Sequence, residues 1–157
     1  ENTGDLAHFK YLHRTDTVPT VVQLNTENCF HLVLETMTTR FGKSFNTKVD
    51  IRVICPGFQV VQFCFNGTEI LLFSTISPID HLTVEEHFWF HIKRRRGILP
   101  FALTDLIMGT LVSLEISRQF AQDQAILEKK IRLAKPNFCD GDQFLGVFKR
   151  WYQQFYT

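Results

Sequence analysis

The sequence predicts an α+β domain in which a curved antiparallel sheet grips a long C-terminal helix and leaves a cavity between the two. Three observations predict it. Through the middle of the chain the hydrophobic period is two: Val49, Ile51 and Val53 alternate with Lys48, Asp50 and Arg52. Asn66-Gly67 sits between two apolar runs, which is a strong signal for a two-residue hairpin. From Ala102 onward Leu103, Leu106, Ile107, Leu111, Leu114 and Ile116 recur near helical spacing. A run of strands followed by a helix favours helices packed on one face of an antiparallel sheet.

In chain order, residues 1–13 read as a short helix and Arg14 to Thr20 as a loop closed by Pro19. A strand is expected from Thr47, a turn at Cys55-Pro56-Gly57, and a second strand over Phe58–Phe65. Glu69–Ile76 is the return strand, Ser77-Pro78 a break, and His81–Lys93 a fourth strand with Phe88, Phe90 and Ile92 alternating. A basic loop, Lys93 to Arg96, precedes a helix expected over Ala102 to about Leu133, with Pro136 beyond its end.

Composition bounds the function. The 157 residues are 45% hydrophobic and 21% charged, enough apolar material for one domain with a real core and too much for a disordered tail. Seventeen Lys and Arg are offset by sixteen Asp and Glu, so a strongly basic nucleic-acid binder is excluded. Sixteen phenylalanines call for wide apolar surfaces or a wide apolar cavity. Four unclustered cysteines do not make a disulfide scaffold, which makes a reducing compartment the expectation. Gly97 to Leu114 is the longest weakly charged stretch, but Pro100 and Asp105 interrupt it short of the roughly 20 residues of a membrane span. The chain does not begin with methionine, and a processed chain or a fragment is expected.

Two features can carry chemistry. Asp5-x2-His8-x4-His13 joins two imidazoles and a carboxylate, the donors of a divalent iron or zinc site. On a regular helix five residues would separate the histidines by about 140°, so they share a metal only where the helix distorts or ends between them. Otherwise they are two surface histidines. Asp123, within Gln119–Ile126, is a solvated helix residue unless it joins them. Two histidines and one carboxylate leave three metal positions open, the arrangement of non-haem Fe(II) oxygenases. Asp5 lies three residues before His8, where its carboxylate is expected to accept a hydrogen bond from the second ring nitrogen of His8. The alternative is a helix-end charge.

Other motifs read as structural. Cys29-Phe30-His31 has half the form of a Rieske cluster site, but no C-x2-H partner follows Cys55, Cys64 or Cys139. Asn66-Gly67-Thr68 matches a glycosylation acceptor, and a tight hairpin explains it better. Lys93-Arg94-Arg95-Arg96 is a solvated loop or a docking patch for an acidic redox partner.

The segment from Glu1 to His13 resembles the iron-binding segment of the oxygenase component of Rieske non-haem iron oxygenases. The tail, from Asp123 to Lys130 through Pro136, Gly141-Asp142 and Lys149-Arg150-Trp151-Tyr152-Gln153-Gln154-Phe155-Tyr156, resembles the C-terminus of the steroid-acting branch. That branch holds the bacterial 3-ketosteroid 9α-hydroxylases and the animal cholesterol 7-desaturases, the Neverland group, which both end motifs resemble more. The resemblance implies a helix-grip (START-like) catalytic domain spanning residues 1–157, with His8, His13 and Asp123 holding a mononuclear Fe(II). It implies that Asp5 bridges electron flow from a neighbouring subunit's Rieske [2Fe-2S] cluster, in a homotrimer fed by NAD(P)H through a reductase. It also implies cholesterol as substrate, converted with O2 to 7-dehydrocholesterol.

Two departures from the family pattern are the missing Rieske domain and the missing membrane anchor, expected in a longer parent held at the endoplasmic reticulum with this domain facing the cytoplasm. A third is Leu127-Glu128, where relatives carry Trp and a polar residue. The competing readings are a steroid hydroxylase of the same family and a non-catalytic lipid carrier on the same fold. Intact His8, His13 and Asp123 disfavour the carrier.

Overall fold

A computed structural model of the chain describes residues 5–40, 42–65, 68–93, 99–130, 137 and 142–156. Its elements are α1 (Ala7–Tyr11), β1 (Thr20–Asn25), β2 (Phe30–Arg40), β3 (Lys43–Cys55), β4 (Phe58–Phe65), β5 (Thr68–Pro78), β6 (Val84–Ile92), α2 (Leu99–Leu127) and α3 (Gln143–Gln153). The α+β expectation holds. The six strands form one antiparallel sheet in sequence order, each pairing with the next.

Register builds one apolar face. Phe30, Leu32 and Leu34 of β2 pair with Val53, Ile51 and Val49 of β3. The rows continue through Val61 and Phe63 of β4 and Leu72 and Ile70 of β5. They end on Phe90 and Ile92 of β6. Most of these side chains are buried, because alternate residues of a strand share a face and this face carries the helices. On β1 a register shift beside Val22 lets Val21 and Leu24, three residues apart, both pack against the core.

The helices close the same face. Phe148 and Trp151 of α3 meet Phe30 with ring centroids 4.9 and 5.9 Å apart. Phe120 of α2 stacks on Phe88 at 3.9 Å. Gly109 lets α2 touch the sheet: a Cβ there would lie 1.7 Å from Ile92 Cδ1.

Several expectations need correction. β1 and β2 were not anticipated, nor was α3. The strand expected from Thr47 begins at Lys43, and the strand expected from His81 begins at Val84. The delay has a local cause: the Asp80 carboxylate accepts the backbone N–H groups of Leu82 and Thr83, both at 2.7 Å, and makes a turn of that stretch. Those bonds also hold Asp80 below its ordinary pKa. Ser77-Pro78 does not break β5, because proline at a strand's last position removes little of the ladder. α1 covers only Ala7–Tyr11 of the helix expected over residues 1–13.

α2 ends at Leu127, and it is turned differently from the expected stripe. Leu103, Leu106, Ile107, Leu111 and Leu114 are exposed, while Gly109, Val112, Ile116, Phe120 and Asp123 form the packed face. Gly109 meets Ile92 on this face, and Val112, Ile116 and Phe120 pack against the core beside it. Glu1–Gly4, the Asn66-Gly67 pair, Arg94–Arg96 and the stretch that includes Leu133 and Pro136 lie outside the described residues; Phe65 pairs with Thr68 across the two-residue connection. No helix among the described residues is long and apolar enough to cross a membrane.

Candidate metal centre

Buried Leu6 anchors the N-terminal segment in the core and starts α1 beside it. The helix ends at Tyr11, between the two histidines, which removes the angular conflict of a regular helix. The backbone N–H groups of Leu12 and His13 both donate to the carbonyl of His8, at 2.7 and 3.3 Å, in a widened final turn. Arg14, at φ 58°, then reverses the chain in the left-handed region. The His8 and His13 rings come to lie edge to face with centroids 5.0 Å apart.

Asp123 arrives from the far end of the chain on the packed face of α2, one turn beyond Phe120. One ligand atom each from His8, His13 and Asp123 lie within 4.8 Å of one another. His13 and Asp123 are buried and His8 is half-buried.

The tautomers follow from the partners. The Nδ1 of His8 meets the backbone carbonyl of Asp5, which can only accept, so Nδ1 carries the hydrogen. The Nδ1 of His13 lies 3.3 Å from Gln122 Oε1, again an acceptor. Both Nε2 atoms are left with lone pairs. Burial lowers the pKa of His8, partly offset by the Asp5 carbonyl and by the Asp123 charge, and favours the neutral, ligating form.

His13 Nε2 faces Asp123 Oδ1 at 3.3 Å. In this tautomer neither atom brings a hydrogen to the gap, and Oδ1 is buried with no hydrogen-bond partner among the described residues. Buried carboxylates are paired or coordinate metals. Two imidazole nitrogens and a carboxylate oxygen in this arrangement fit a divalent borderline cation such as Fe(II).

The structure brings Asp5, His8, His13 and Asp123 to one place, with one correction. The carboxylate of Asp5 does not meet the ring of His8. Its Oδ1 accepts the backbone N–H of His8 at 3.4 Å, and its backbone carbonyl takes the ring nitrogen instead. Gln122 was not anticipated; nothing in its sequence neighbourhood marks it, since its role depends on a histidine 109 positions away. Cys29-Phe30-His31 is structural as expected: Phe30 is core, and His31 Nε2 lies 3.1 Å from Asp50 Oδ1.

Asp123 also stands in the wall of a cavity of about 2100 Å³ between the sheet and helices α2 and α3. Phe88, Phe90, Phe120, Phe148, Leu127 and Tyr152 supply apolar lining, which accounts for part of the phenylalanine excess. Leu127, one turn beyond Asp123 on α2, is in that wall.

Residues 1–156 match the family model described as the 3-ketosteroid 9alpha-hydroxylase C-terminal domain. A 3-ketosteroid-9-alpha-monooxygenase oxygenase component of Rhodococcus rhodochrous is 24% identical over an alignment covering 100% of this chain and 43% of that protein. A second protein of that organism, described as a probable 3-ketosteroid-9-alpha-monooxygenase oxygenase component, is 22% identical, covering 100% of this chain and 42% of its own length. The chain thus spans about two fifths of these curated relatives. With the match running over nearly its whole length, the chain belongs to the 3-ketosteroid 9alpha-hydroxylase C-terminal domain family.

Proposed function

We propose that this chain is the catalytic portion of a Rieske-type steroid oxygenase, with His8, His13 and Asp123 holding a mononuclear Fe(II) beside a steroid cavity. The observation that carries the proposal is the buried Asp123 Oδ1, without a hydrogen-bond partner among the described residues and facing His13 Nε2 across 3.3 Å, an arrangement that suits a cation. When bound, iron in such a site supplies O2-dependent oxidation of an unactivated C–H bond.

The residues of the chain do the rest. Gln122 and the Asp5 carbonyl hold the imidazoles in the ligating tautomer. The aromatic side chains of the cavity suit a flat, rigid, mostly apolar ligand. Among the described residues the Asp5 carboxylate accepts one backbone N–H, at 3.4 Å, and its second oxygen is proposed to meet a partner subunit's cluster ligand. The full protein is proposed to work as a homotrimer in a helix-grip fold, to receive NAD(P)H-derived electrons through a reductase and a Rieske [2Fe-2S] cluster, and to sit at the endoplasmic reticulum membrane where sterols reside.

The reaction proposed is 7-desaturation of cholesterol, on the strength of the two end motifs. Hydroxylation of a steroid is the second reading, favoured by the names of the Rhodococcus relatives, both monooxygenase components. Both reactions remove one hydrogen; the first removes a second and the other adds hydroxyl. Incubating the full-length protein and its reductase with cholesterol and with a 3-ketosteroid, followed by mass analysis, tests this. Loss of two mass units from cholesterol is expected; gain of oxygen on the ketosteroid alone would establish the second reading. In the same assay Asp5→Asn is expected to keep iron and a reducible cluster while product formation collapses; turnover within a few-fold of wild type would remove the bridging role.

A further inference from the structure

The inner face of β6 alternates Phe88, Phe90 and Ile92, and the pattern fails at the next inward position, Glu86. Glu86 is exposed, where this row runs out of the packed part of the strand. On the neighbouring strand Ser74, fully buried at 0% exposure, donates its hydroxyl to Glu86 Oε1 at 2.6 Å. Both residues line the cavity that Asp123 enters. α2 crosses β6 with Gly109 at Ile92 and Phe120 at Phe88. Continuing at about 1.5 Å per helical residue and about 3.4 Å per strand residue brings Asp123 close to the level of Glu86.

We propose that Glu86, oriented by Ser74, accepts a hydrogen bond from a hydroxyl on the steroid and thereby selects a hydroxysteroid over the corresponding ketosteroid. The inference rests on the reading of the cavity as a steroid site. An ionised carboxylate only accepts, and the one hydroxyl hydrogen of Ser74 is already donated to it. A steroid hydroxyl brings the missing donor. A ketone brings only lone pairs, and would leave two acceptors facing each other. Glu86 itself is exposed, and a steroid lying over it takes the carboxylate out of water; a polar group covered by its ligand discriminates against the analogue that fails to pair with it. Glu86 is the specificity-determining residue and Ser74 its positioning residue.

Equilibrium binding of cholestanol and cholestanone, which differ only in hydroxyl against ketone, tests the proposal without requiring iron or turnover. The wild-type protein is expected to prefer the alcohol by roughly ten- to hundredfold, the range of a hydrogen bond to a charged group. Glu86→Gln, whose carboxamide also donates, should bring the two within about twofold. Ser74→Ala should weaken the preference, and Ser74→Thr should restore it. If Glu86→Gln melts early by circular dichroism, Glu86→Asp, which withdraws the carboxylate by one methylene, should also erase the preference. A preference unchanged in a folded Glu86 variant, or equal binding of both steroids by wild type, overturns this assignment alone. Wild-type protein that binds neither steroid overturns the steroid reading and this inference with it.

Discussion

Replacing Asp123 by Asn is expected to stabilise the metal-free protein and to remove its stabilisation by iron. In the metal-free state Asp123 Oδ1 is buried, unpartnered and 3.3 Å from the lone pair of His13 Nε2. A buried, unsatisfied polar group costs about 1–3 kcal/mol, and more when charged. Asn keeps the shape, loses the charge and can turn an N–H toward His13 Nε2, adding a hydrogen bond worth about 1 kcal/mol net. A gain of about 1–2 kcal/mol follows. For a domain of this size each kcal/mol moves the melting temperature by roughly 2–4 °C, so a rise of about 2–8 °C is expected in chelator-treated protein.

Iron acts in the opposite sense. At one hundred times its dissociation constant a ligand stabilises the wild type by about 2.7 kcal/mol, and the variant, without the carboxylate, should gain little. The curves of the two proteins should therefore cross as Fe(II) is added anaerobically, read by scanning calorimetry. If His13 were instead protonated and ion-paired with Asp123, the metal-free variant would melt below wild type. That outcome, with an equal iron shift in both proteins, would refute the reasoning.

Gln122→Ala should weaken iron binding about ten- to a hundredfold without unfolding the protein, because it frees the His13 ring to rotate and change tautomer; competition with a chelator measures it. Burial, with the Tyr152 hydroxyl donating a hydrogen bond to Tyr156, raises Tyr152 to about 12 from its ordinary 10.0. A raised folded-state pKa contributes stability that is complete below about pH 10 and lost as pH climbs through about 12, so wild-type melting temperature should fall more steeply across that window than that of Tyr152→Phe. Gly57→Ala should cost about 2 kcal/mol, read in urea unfolding, because φ is 81° and the new Cβ would lie 2.5 Å from the Ile76 carbonyl oxygen.

What could be read from the sequence follows the cleanness of its periods. β3 announces itself because Val49, Ile51 and Val53 face the core while Lys48, Asp50 and Arg52 face outward. β2 hides because Val33 is buried on the opposite face from Leu32 and Leu34, so its apolar run does not alternate. β1 hides because the register shift at Val22 puts apolar residues at 21, 22 and 24. α3 was visible in principle: Phe144, Val147, Phe148 and Trp151 recur at helical spacing and pack against the core. The orientation of α2 was not, because apolar residues recur at helical spacing on two faces and only the sheet opposite reveals which one packs.

The site divides in the same way. The two histidines are legible as a pair, and the end of α1 at Tyr11 resolves the spacing that made them awkward. Asp123 is an ordinary helix carboxylate until the fold carries it across 110 positions to His13; its link to the histidines came from resemblance, not from local pattern. Gln122 and the Asp5 carbonyl, which decide the tautomers, have no sequence signature at all. Side-chain type marks metal donors; what orients them is set by tertiary structure.

The central claim is that His8, His13 and Asp123 hold one iron. Anaerobic titration of the purified protein with Fe(II), with bound metal measured after desalting, tests it most directly. The expected result is a single site that saturates at one iron per chain in the wild type. His8→Ala, His13→Ala and Asp123→Ala should each fall well below that occupancy while circular dichroism stays unchanged. Full occupancy in any one of the three folded variants, or no retained iron in the wild type, would contradict the account.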